Sequence, residues 1–257
     1  MNRIYLNVIR RWSRYIDKFF VNSLDVFTDL TRCGISKEKI TIVNNWVEPI
    51  VMDEDNIKHL NEKYRYLLNY KFRVIYVGRL VEYKHVLTYA NVASRLANNF
   101  IAFIFVGYGE LSGLIEKIKN CNSNIFWLSN ISNEELRYLM SISNITLAYA
   151  DENYLGLTAY ESLMCGTPVI YIDISCSPAK YFKKIKIEKE LLPTHIGYKV
   201  GEKEDDICNL ITLLYELNKP TIKEREECKI YATKFHSEKN AEILLNETLK
   251  YPIGSIE

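Results

Sequence analysis

Residues 72–84, FRVIYVGRLVEYK, decide the fold that this sequence predicts. The first six are nearly all β-branched or aromatic, as is typical of a strand buried on both faces. Gly78 ends this run, and Arg79 and Lys84 follow it where a helix is expected to begin. The stretch therefore predicts a strand, a glycine turn and a helix, which together form the repeating unit of a parallel α/β sheet.

The same unit recurs along the chain. Short runs rich in valine, isoleucine, phenylalanine and tyrosine predict further strands near 100–106, 124–127, 144–149, 168–172 and 197–200. Amphipathic stretches predict helices over 84–97, 109–119, 132–141, 156–165, 203–217, 220–234 and 237–250. Ser132 and Thr158 each stand three residues before a glutamate, a pattern that is typical of helix starts. We therefore expect an α/β fold with a Rossmann-like, doubly wound parallel sheet.

The first 50 residues fall outside this repeat. They predict a basic helix, a strand at 18–23, a helix that ends at Gly34 and a strand at 39–45, while residues 53–68 predict a charged helix that leads into the main domain. We expect three segments, which are a short N-terminal remnant of another domain (1–50), the Rossmann-like domain (51–235) and a C-terminal helix (236–257).

Composition excludes several classes of protein. A chain of 257 residues with 48% hydrophobic and 25% charged residues is typical of a globular protein, and the net charge of +1 gives no field that attracts nucleic acid. The six cysteines show no close pairing, and no cysteine or histidine spacing suits a metal site. No apolar run approaches the length of roughly 18 residues that spans a membrane, and the first residues lack the pattern of a signal peptide. We expect a reduced, cytoplasmic protein that binds neither metal nor cofactor.

Two segments carry residues suited to an anionic ligand. Gly78, Arg79 and Lys84 lie where a parallel sheet places phosphates, although a solvated basic loop is an equally good interpretation. Gly107 belongs to a second glycine turn, VGYGE (106–110), which matches half of a dinucleotide fingerprint. Ser112 stands where that fingerprint requires its third glycine, so we expect a plain tight turn there instead of a nicotinamide site.

The other segment is DENYLGLTAYESLMCGTPVI (151–170). Acidic residues follow a strand, and a glycine begins a helix that Gly166 and Pro168 end. Backbone N–H groups of Gly156, Leu157 and Thr158 are placed to bind phosphate, and Glu161 is placed to accept hydrogen bonds from ribose hydroxyls. Alternatively, an acid near a helix start only compensates the helix dipole.

Together these segments resemble the donor-binding half of GT-B glycosyltransferases, most closely the retaining family 4 enzymes. The matching motifs, in order, are GRLVEYK (78–84), VGYGE (106–110), WLSNISNEELRYLMSISNITLAYA (127–150) and GLTAYESLMCGTPVI (156–170). The resemblance covers roughly residues 15–250. It implies a nucleotide-sugar donor, UDP- or GDP-linked, whose sugar is transferred with retention to a lipid or glycan acceptor, as in hexosyltransferases, without a metal.

Site roles follow from the resemblance, residue by residue. Arg79 and Lys84 would hold the diphosphate and stabilise the leaving nucleotide. The predicted donor-binding residues are Gly78 and Gly107 in the two glycine turns, Asn130 and Ile131 near the base, Gly156, Leu157 and Thr158 at the phosphates, and Glu161 at the ribose.

Two residues depart from the family pattern. The family has an acid eight positions before Glu161, where this chain has Asn153, so either a bulge brings Glu152 into the catalytic position or the acid is lost. Where the family has a glycine after the cationic lysine, this chain has His85 after Lys84. The imidazole either narrows the space near the phosphate or adds a hydrogen bond.

Only about 50 residues precede the linker, too few for an acceptor domain. We expect that the sequence is a fragment of a longer enzyme, that a second copy in a homodimer or a separate acceptor-domain chain supplies the other half, or that the helices at 1–16 and 237–250 form another interface. The alternative function is a nucleotide-sugar-binding or partner-binding subunit without catalysis, and a weaker one is a sugar-nucleotide epimerase of the same architecture. The basic and apolar residues 1–20 suit either peripheral contact with anionic lipid or, as we favour, the solvated face of a docking helix.

Overall fold

The computed structural model of the protein describes residues 3–49, 52–96, 100–151, 154–172 and 192–250. Its helices, in chain order, are α1 (Arg3–Trp12), α2 (Leu24–Arg32), α3 (Glu54–Lys63), α4 (Arg65–Leu68), α5 (Val86–Arg95), α6 (Ser112–Cys121), α7 (Asn133–Ile142), α8 (Leu157–Met164), α9 (Glu204–Glu216), α10 (Ile222–His236) and α11 (Lys239–Leu249). Its strands are β1 (Phe19–Val21), β2 (Ile40–Ile42), β3 (Phe72–Val77), β4 (Ile101–Val106), β5 (Ile125–Leu128), β6 (Ile145–Ala148), β7 (Ala150–Asp151), β8 (Tyr154–Leu155), β9 (Val169–Ile172) and β10 (Gly197–Val200).

The chain divides into two compact units, Met1–Glu48 with Thr233–Glu257 and Pro49–Ala232. Domain boundaries at residues 50 and 235 stay a prediction. Among the described helices, none combines the length and the apolar composition needed to cross a bilayer.

The unit Pro49–Ala232 is built on a six-stranded sheet in the order β10-β9-β6-β3-β4-β5. Every neighbouring pair runs parallel, which confirms the predicted Rossmann-like sheet. The chain begins in the middle at β3, extends through β4 to β5, and then returns to the other side of β3 with β6. This reversal opens a crevice at the carboxyl ends of β3 and β6, which is where open α/β sheets bind their ligands.

Buried side chains alternate between the two faces of this sheet. Tyr76 and Phe103 pack with the residues of α5 and α9 on one face. Ile75 and Ile104 pack with α4 and α7 on the other face. Because both faces are covered, the strands are apolar almost throughout, as their sequences predict.

Three local features can be compared with the sequence predictions. The Ser132 side chain accepts from the N–H of Glu135 in a complete capping box, as predicted. The same prediction for Thr158 is wrong, because α8 begins at Leu157 with Gly156 as its N-cap and no side-chain cap. The short antiparallel pair β7–β8 was not predicted, since two-residue strands carry no recognisable period.

Helix α8 ends as the sequence predicts. Gly166 adopts a φ of 78°, and the Thr167 N–H donates to the Ser162 carbonyl at 2.9 Å. This hydrogen bond belongs to the glycine-terminated helix end known as the Schellman motif. It turns the chain directly into β9, next to β6.

The smaller unit contains the parallel pair β1–β2. Its buried core is formed by Val21, Leu30, Ile35 and Ile40. The Val47 N–H donates to the His236 carbonyl at 2.8 Å, and His236 Nδ1 lies 2.8 Å from the Asn45 carbonyl. The C-terminal part of the chain therefore joins the N-terminal segment within one unit.

Candidate functional site

Two glycine turns lie side by side where β3 and β4 end. The Gly78 N–H donates to the Val106 carbonyl at 3.0 Å, and the Leu80 N–H donates to the Tyr108 carbonyl at 3.1 Å. Backbone hydrogen bonds between the two segments therefore continue beyond the ends of both strands. In the turn that follows β4, the Gly109 N–H donates to the Ser112 hydroxyl at 2.9 Å. Ser112 thus completes a tight turn at the start of α6.

Lys84 ends a short 3-10 helix, Glu82–Lys84, that follows the first of these turns. Its ammonium group lies 3.6 Å from the point where a Cβ on Gly78 would stand. Burial lowers the pKa of Lys84, and the positive charge of Arg79 lowers it further. Both causes disfavour the charged form of Lys84. An anion bound beside Lys84 would offset them, because a nearby negative charge favours the ammonium ion. The structure thus brings the two predicted cations close enough to interact.

Arg79 is exposed and is held by aromatic neighbours. Its guanidinium donates a hydrogen bond to the Tyr83 hydroxyl and lies 5.7 Å from the centre of that ring. Its carbonyl accepts a hydrogen bond of 2.9 Å from the hydroxyl of Tyr76. The backbone and the side chain of Arg79 are therefore each fixed by a tyrosine, and neither tyrosine was predicted as a site residue.

A cavity of about 40 Å³ opens at the crevice between β3 and β6. It is lined by Tyr76, Val77, Lys84, Ala148, Tyr149, Gly156, Thr158 and Ala159. Of the predicted site residues, the cavity thus brings together Lys84, Gly156 and Thr158. Tyr149 was missed, although it follows a strand directly, which is the position that the carboxyl-end rule singles out.

The first turn of α8 faces this cavity. Gly156 is its N-cap, and no atom lies within 4 Å of the point where a Cβ on Gly156 would stand. The first N–H groups of a helix have no partner inside the helix, and they carry the positive end of its dipole. Lys84 on one side and these N–H groups on the other make a setting suited to phosphate oxygens.

Glu161 lies one turn further along α8 and is half-buried. Burial raises the pKa of Glu161, and the positive charge of Arg137 offsets part of that rise. A carboxylate that is partly shielded from water and does not cap a helix lowers the stability of the folded protein. The position of Glu161 is compatible with a binding role, which stays a prediction.

The remaining predicted residues lie at different places. Asn130 is exposed, and Ile131 packs against the buried cluster beside α7. Leu157 is exposed at the start of α8. Glu152 and Asn153 lie outside the described residues. Their assigned roles, like those of Gly78 and Gly107, stay predictions.

The chain belongs to the family of glycosyl transferases group 1, whose sequence profile matches residues 61–235. A curated relative from Klebsiella pneumoniae, an "uncharacterized 41.2 kDa protein in cps region", is 25% identical over 177 residues. These residues are 68% of this chain and 48% of the relative, so the chain spans about half the length of the curated relative that it matches.

Solved structures show the same fold. HepE of Anabaena, crystallised with UDP and glucose, superposes with a TM-score of 0.73 at 16% identity, over 97% of this chain and 67% of that one. WaaG, a glycosyltransferase involved in lipopolysaccharide biosynthesis, gives a TM-score of 0.67 at 15% identity, over 90% of this chain and 62% of that one. These matches and the family membership confirm the prediction of a GT-B glycosyltransferase C-terminal domain.

Proposed function

We propose that the unit Pro49–Ala232 binds a nucleotide-sugar donor, UDP- or GDP-linked, and that the protein acts in retaining glycosyl transfer. The observation that carries this proposal is the cavity in which Lys84 meets the first turn of α8. A cation opposite helix N–H groups is an arrangement that binds phosphate. Family membership supports a nucleotide sugar as the phosphate-bearing ligand, and so does the UDP bound in the HepE crystals.

In this proposal the two cations act on the leaving group. When the bond between the sugar and the diphosphate breaks, negative charge develops on the diphosphate oxygens. Lys84 at the cavity wall and Arg79 beside it stabilise that charge, and the N–H groups at the start of α8 add fixed dipoles. We propose that these groups take the place of a divalent metal ion. The enzyme should therefore still transfer sugar when a metal chelator is present.

Recognition of the nucleoside falls to other residues. Glu161 accepts hydrogen bonds from the ribose hydroxyls, and Asn130 and Ile131 lie near the base. Partial burial of Glu161 supports this role, because a carboxylate in such a position gains from two hydroxyl donors. The candidate for the catalytic acid is Glu152, which is adjacent to Asn153 at the family's acid position, and the proposal gives neither residue a geometry.

A second candidate function is a donor-binding subunit without catalysis. The observation that favours it is Asn153, which stands where the family has an acid and which cannot ionise. The two candidates share the donor site and differ in whether sugar is transferred.

An acceptor-side partner belongs to the proposal in both cases. We propose that the acceptor side is supplied by a second copy, by a separate acceptor-domain chain or by further residues of a longer chain. Exposed apolar residues support association, namely Val8 and Trp12 of α1 and Ile243, Leu245 and Leu249 of α11. Peripheral contact of residues 1–20 with anionic lipid remains an alternative use of the first of these helices.

Calorimetry with a panel of UDP- and GDP-sugars tests donor binding directly. We expect at least one donor to bind, and a nucleoside to bind far more weakly than its diphosphate. Nuclear magnetic resonance of the product then tests retention through the anomeric configuration. Binding without transfer, even when acceptor-side partners are added, would favour the non-catalytic subunit. Conversion of the donor to its epimer would favour an epimerase, and the absence of any nucleotide binding would contradict the proposal.

We expect the chain alone to bind donor but to transfer sugar poorly. A cleft with two walls positions the acceptor and excludes water, which together can lower the barrier by roughly 7–11 kcal/mol. Efficient turnover by a chain that light scattering shows to be monomeric would contradict the need for a partner.

A further inference from the structure

His85 has an unusual backbone conformation beside the donor cavity. It follows Lys84 and serves as the N-cap of α5, with a φ of 57° and a ψ of 22°. This left-handed region is open to glycine and is strained for most other residues, although histidine, asparagine and aspartate enter it more often than the rest. A side chain kept here therefore suggests a use for the imidazole that offsets the strain.

The imidazole points away from solvent toward two other segments of the same unit. Its Nε2 lies 3.8 Å from Oε1 of Glu202, in the connection between β10 and α9, and both side chains are largely buried. Its ring centre lies 6.1 Å from that of Tyr149, which lines the donor cavity. His85 thus links three segments, of which two contribute a residue to the cavity wall.

The charge of His85 depends on its surroundings. Burial lowers the pKa of the imidazole. The carboxylate of Glu202, 3.8 Å from Nε2, favours the protonated form. The ionisable residues on the segments around His85 are Glu82, Tyr83, Lys84, Tyr149, Glu202 and Lys203.

We propose that His85 is a proton-linked positioning residue, whose protonation is favoured when a nucleotide diphosphate binds at Lys84 and which thereby ties the Lys84 turn to Glu202. The inference rests on the proposed donor site. A bound diphosphate adds negative charge next to Lys84, the residue that precedes His85, and this negative charge favours the imidazolium ion. The proton comes from solvent, and no covalent bond is made or broken. By linkage, donor affinity must then increase as the pH falls through the pKa of His85.

Calorimetric titration with a nucleotide sugar at several pH values tests this linkage. The probe is the tightest binder among UDP-glucose, UDP-N-acetylglucosamine and GDP-mannose, because its diphosphate is a diester and does not titrate near neutral pH. We expect affinity to rise about three- to tenfold between about pH 8 and pH 5.5 in the wild type. His85→Asn tolerates the left-handed backbone but stays neutral, so it should remove this rise.

Matched variants separate the linkage from a structural effect. His195→Gln removes another histidine that faces a glutamate, with His195 Nε2 3.3 Å from Glu227 and half exposed, and it should keep the full pH dependence. His85→Gly, which relieves the backbone strain, should behave like His85→Asn. If wild type shows no rise in affinity, or if His85→Asn and His85→Gly retain it, the proposal is wrong while donor binding stands. If none of the probes binds at any pH, the donor site and this inference fail together.

A measurement without donor tests the geometry separately. The pKa of His85 can be read from its ring-proton resonance, assigned by its loss in His85→Asn. Glu202→Gln should lower that pKa, because the carboxylate that favours the imidazolium is gone. An unchanged pKa in this variant would show that Glu202 does not act on His85, and would overturn the proposal whether or not a donor binds.

Discussion

The carbonyl oxygen of Gly78 lies 2.1 Å from the point where a Cβ on Gly107 would stand. Gly107 also has a φ of 133°, which side-chain-bearing residues rarely adopt. Contact between the two backbones is therefore possible only because Gly107 has no side chain. This close approach lies at the ends of β3 and β4, where the turn that carries Arg79 and Lys84 begins.

Gly107→Ala should consequently destabilise the unit Pro49–Ala232 strongly. The added methyl group must displace the Gly78 carbonyl and adopt an unfavourable φ, which we expect to cost about 2–4 kcal/mol. Chemical denaturation measures this cost. Gly113→Ala is the control, since nothing lies within 4 Å of its Cβ position in helix α6, and it should be neutral or slightly stabilising. Equal stabilities for the two variants would contradict the proposed backbone contact.

Lys84→Ala should weaken donor binding much more than nucleoside binding. Lys84 lines the cavity opposite the start of α8, and a charge-assisted contact is worth roughly 1.5–3 kcal/mol, or about ten- to a hundredfold in affinity. We expect Arg79→Ala to act in the same direction. Lys117→Ala, on the exposed face of α6, is the matched control and should bind as the wild type does. If calorimetry gives equal affinities for all four proteins, the phosphate site is placed wrongly.

Most of the fold could be predicted because both faces of the central sheet are buried. Strands such as β3 and β4 are then apolar throughout, and glycine turns mark their ends. Helix ends could be predicted where capping side chains or glycines mark them. The Ser132 capping box and the glycine at the start of α8 were therefore recognised, whereas the cap predicted at Thr158 was wrong, because Thr158 lies inside α8.

The candidate site could be predicted only in part. Lys84 and Gly156 were identified because a cation and a glycine at strand-to-helix turns are local patterns. Tyr149 was missed although it directly follows a strand, whereas Glu202 was missed because its position beside His85 depends on the order of strands in the sheet and on contacts between distant segments. The strain at His85 could not be seen in sequence either, because φ is a property of the folded backbone.

Glu161→Gln should reduce the preference for a ribonucleotide over its deoxy analogue. A carboxylate can accept hydrogen bonds from both ribose hydroxyls, while the amide retains the shape but only one acceptor oxygen. Competition binding with a ribonucleoside and a deoxyribonucleoside diphosphate measures the preference. An unchanged preference would show that Glu161 serves only as a charge near the start of the helix.

The same substitution should stabilise the protein at neutral pH. Burial raises the pKa of Glu161 above its ordinary value, so the folded state holds the proton more tightly than the unfolded state does. The stability that Glu161 contributes is therefore fully present below its unfolded pKa and is lost as the pH rises through its folded pKa. Glu161→Gln resembles the protonated form at every pH and should avoid this loss.

Thermal unfolding of wild type and variant across the pH range tests this linkage. We expect the melting temperature of Glu161→Gln to exceed that of the wild type by roughly a few degrees at neutral pH, with the difference disappearing in acid. Loss of the attraction to Arg137 reduces the gain but does not reverse it, because burial is the larger cause of the shift. Glu116→Gln, on the exposed face of α6, should show no such pH-dependent gain. A variant less stable than wild type at neutral pH would mean that the Glu161 carboxylate supports the fold, and its partial burial would no longer favour a role in binding.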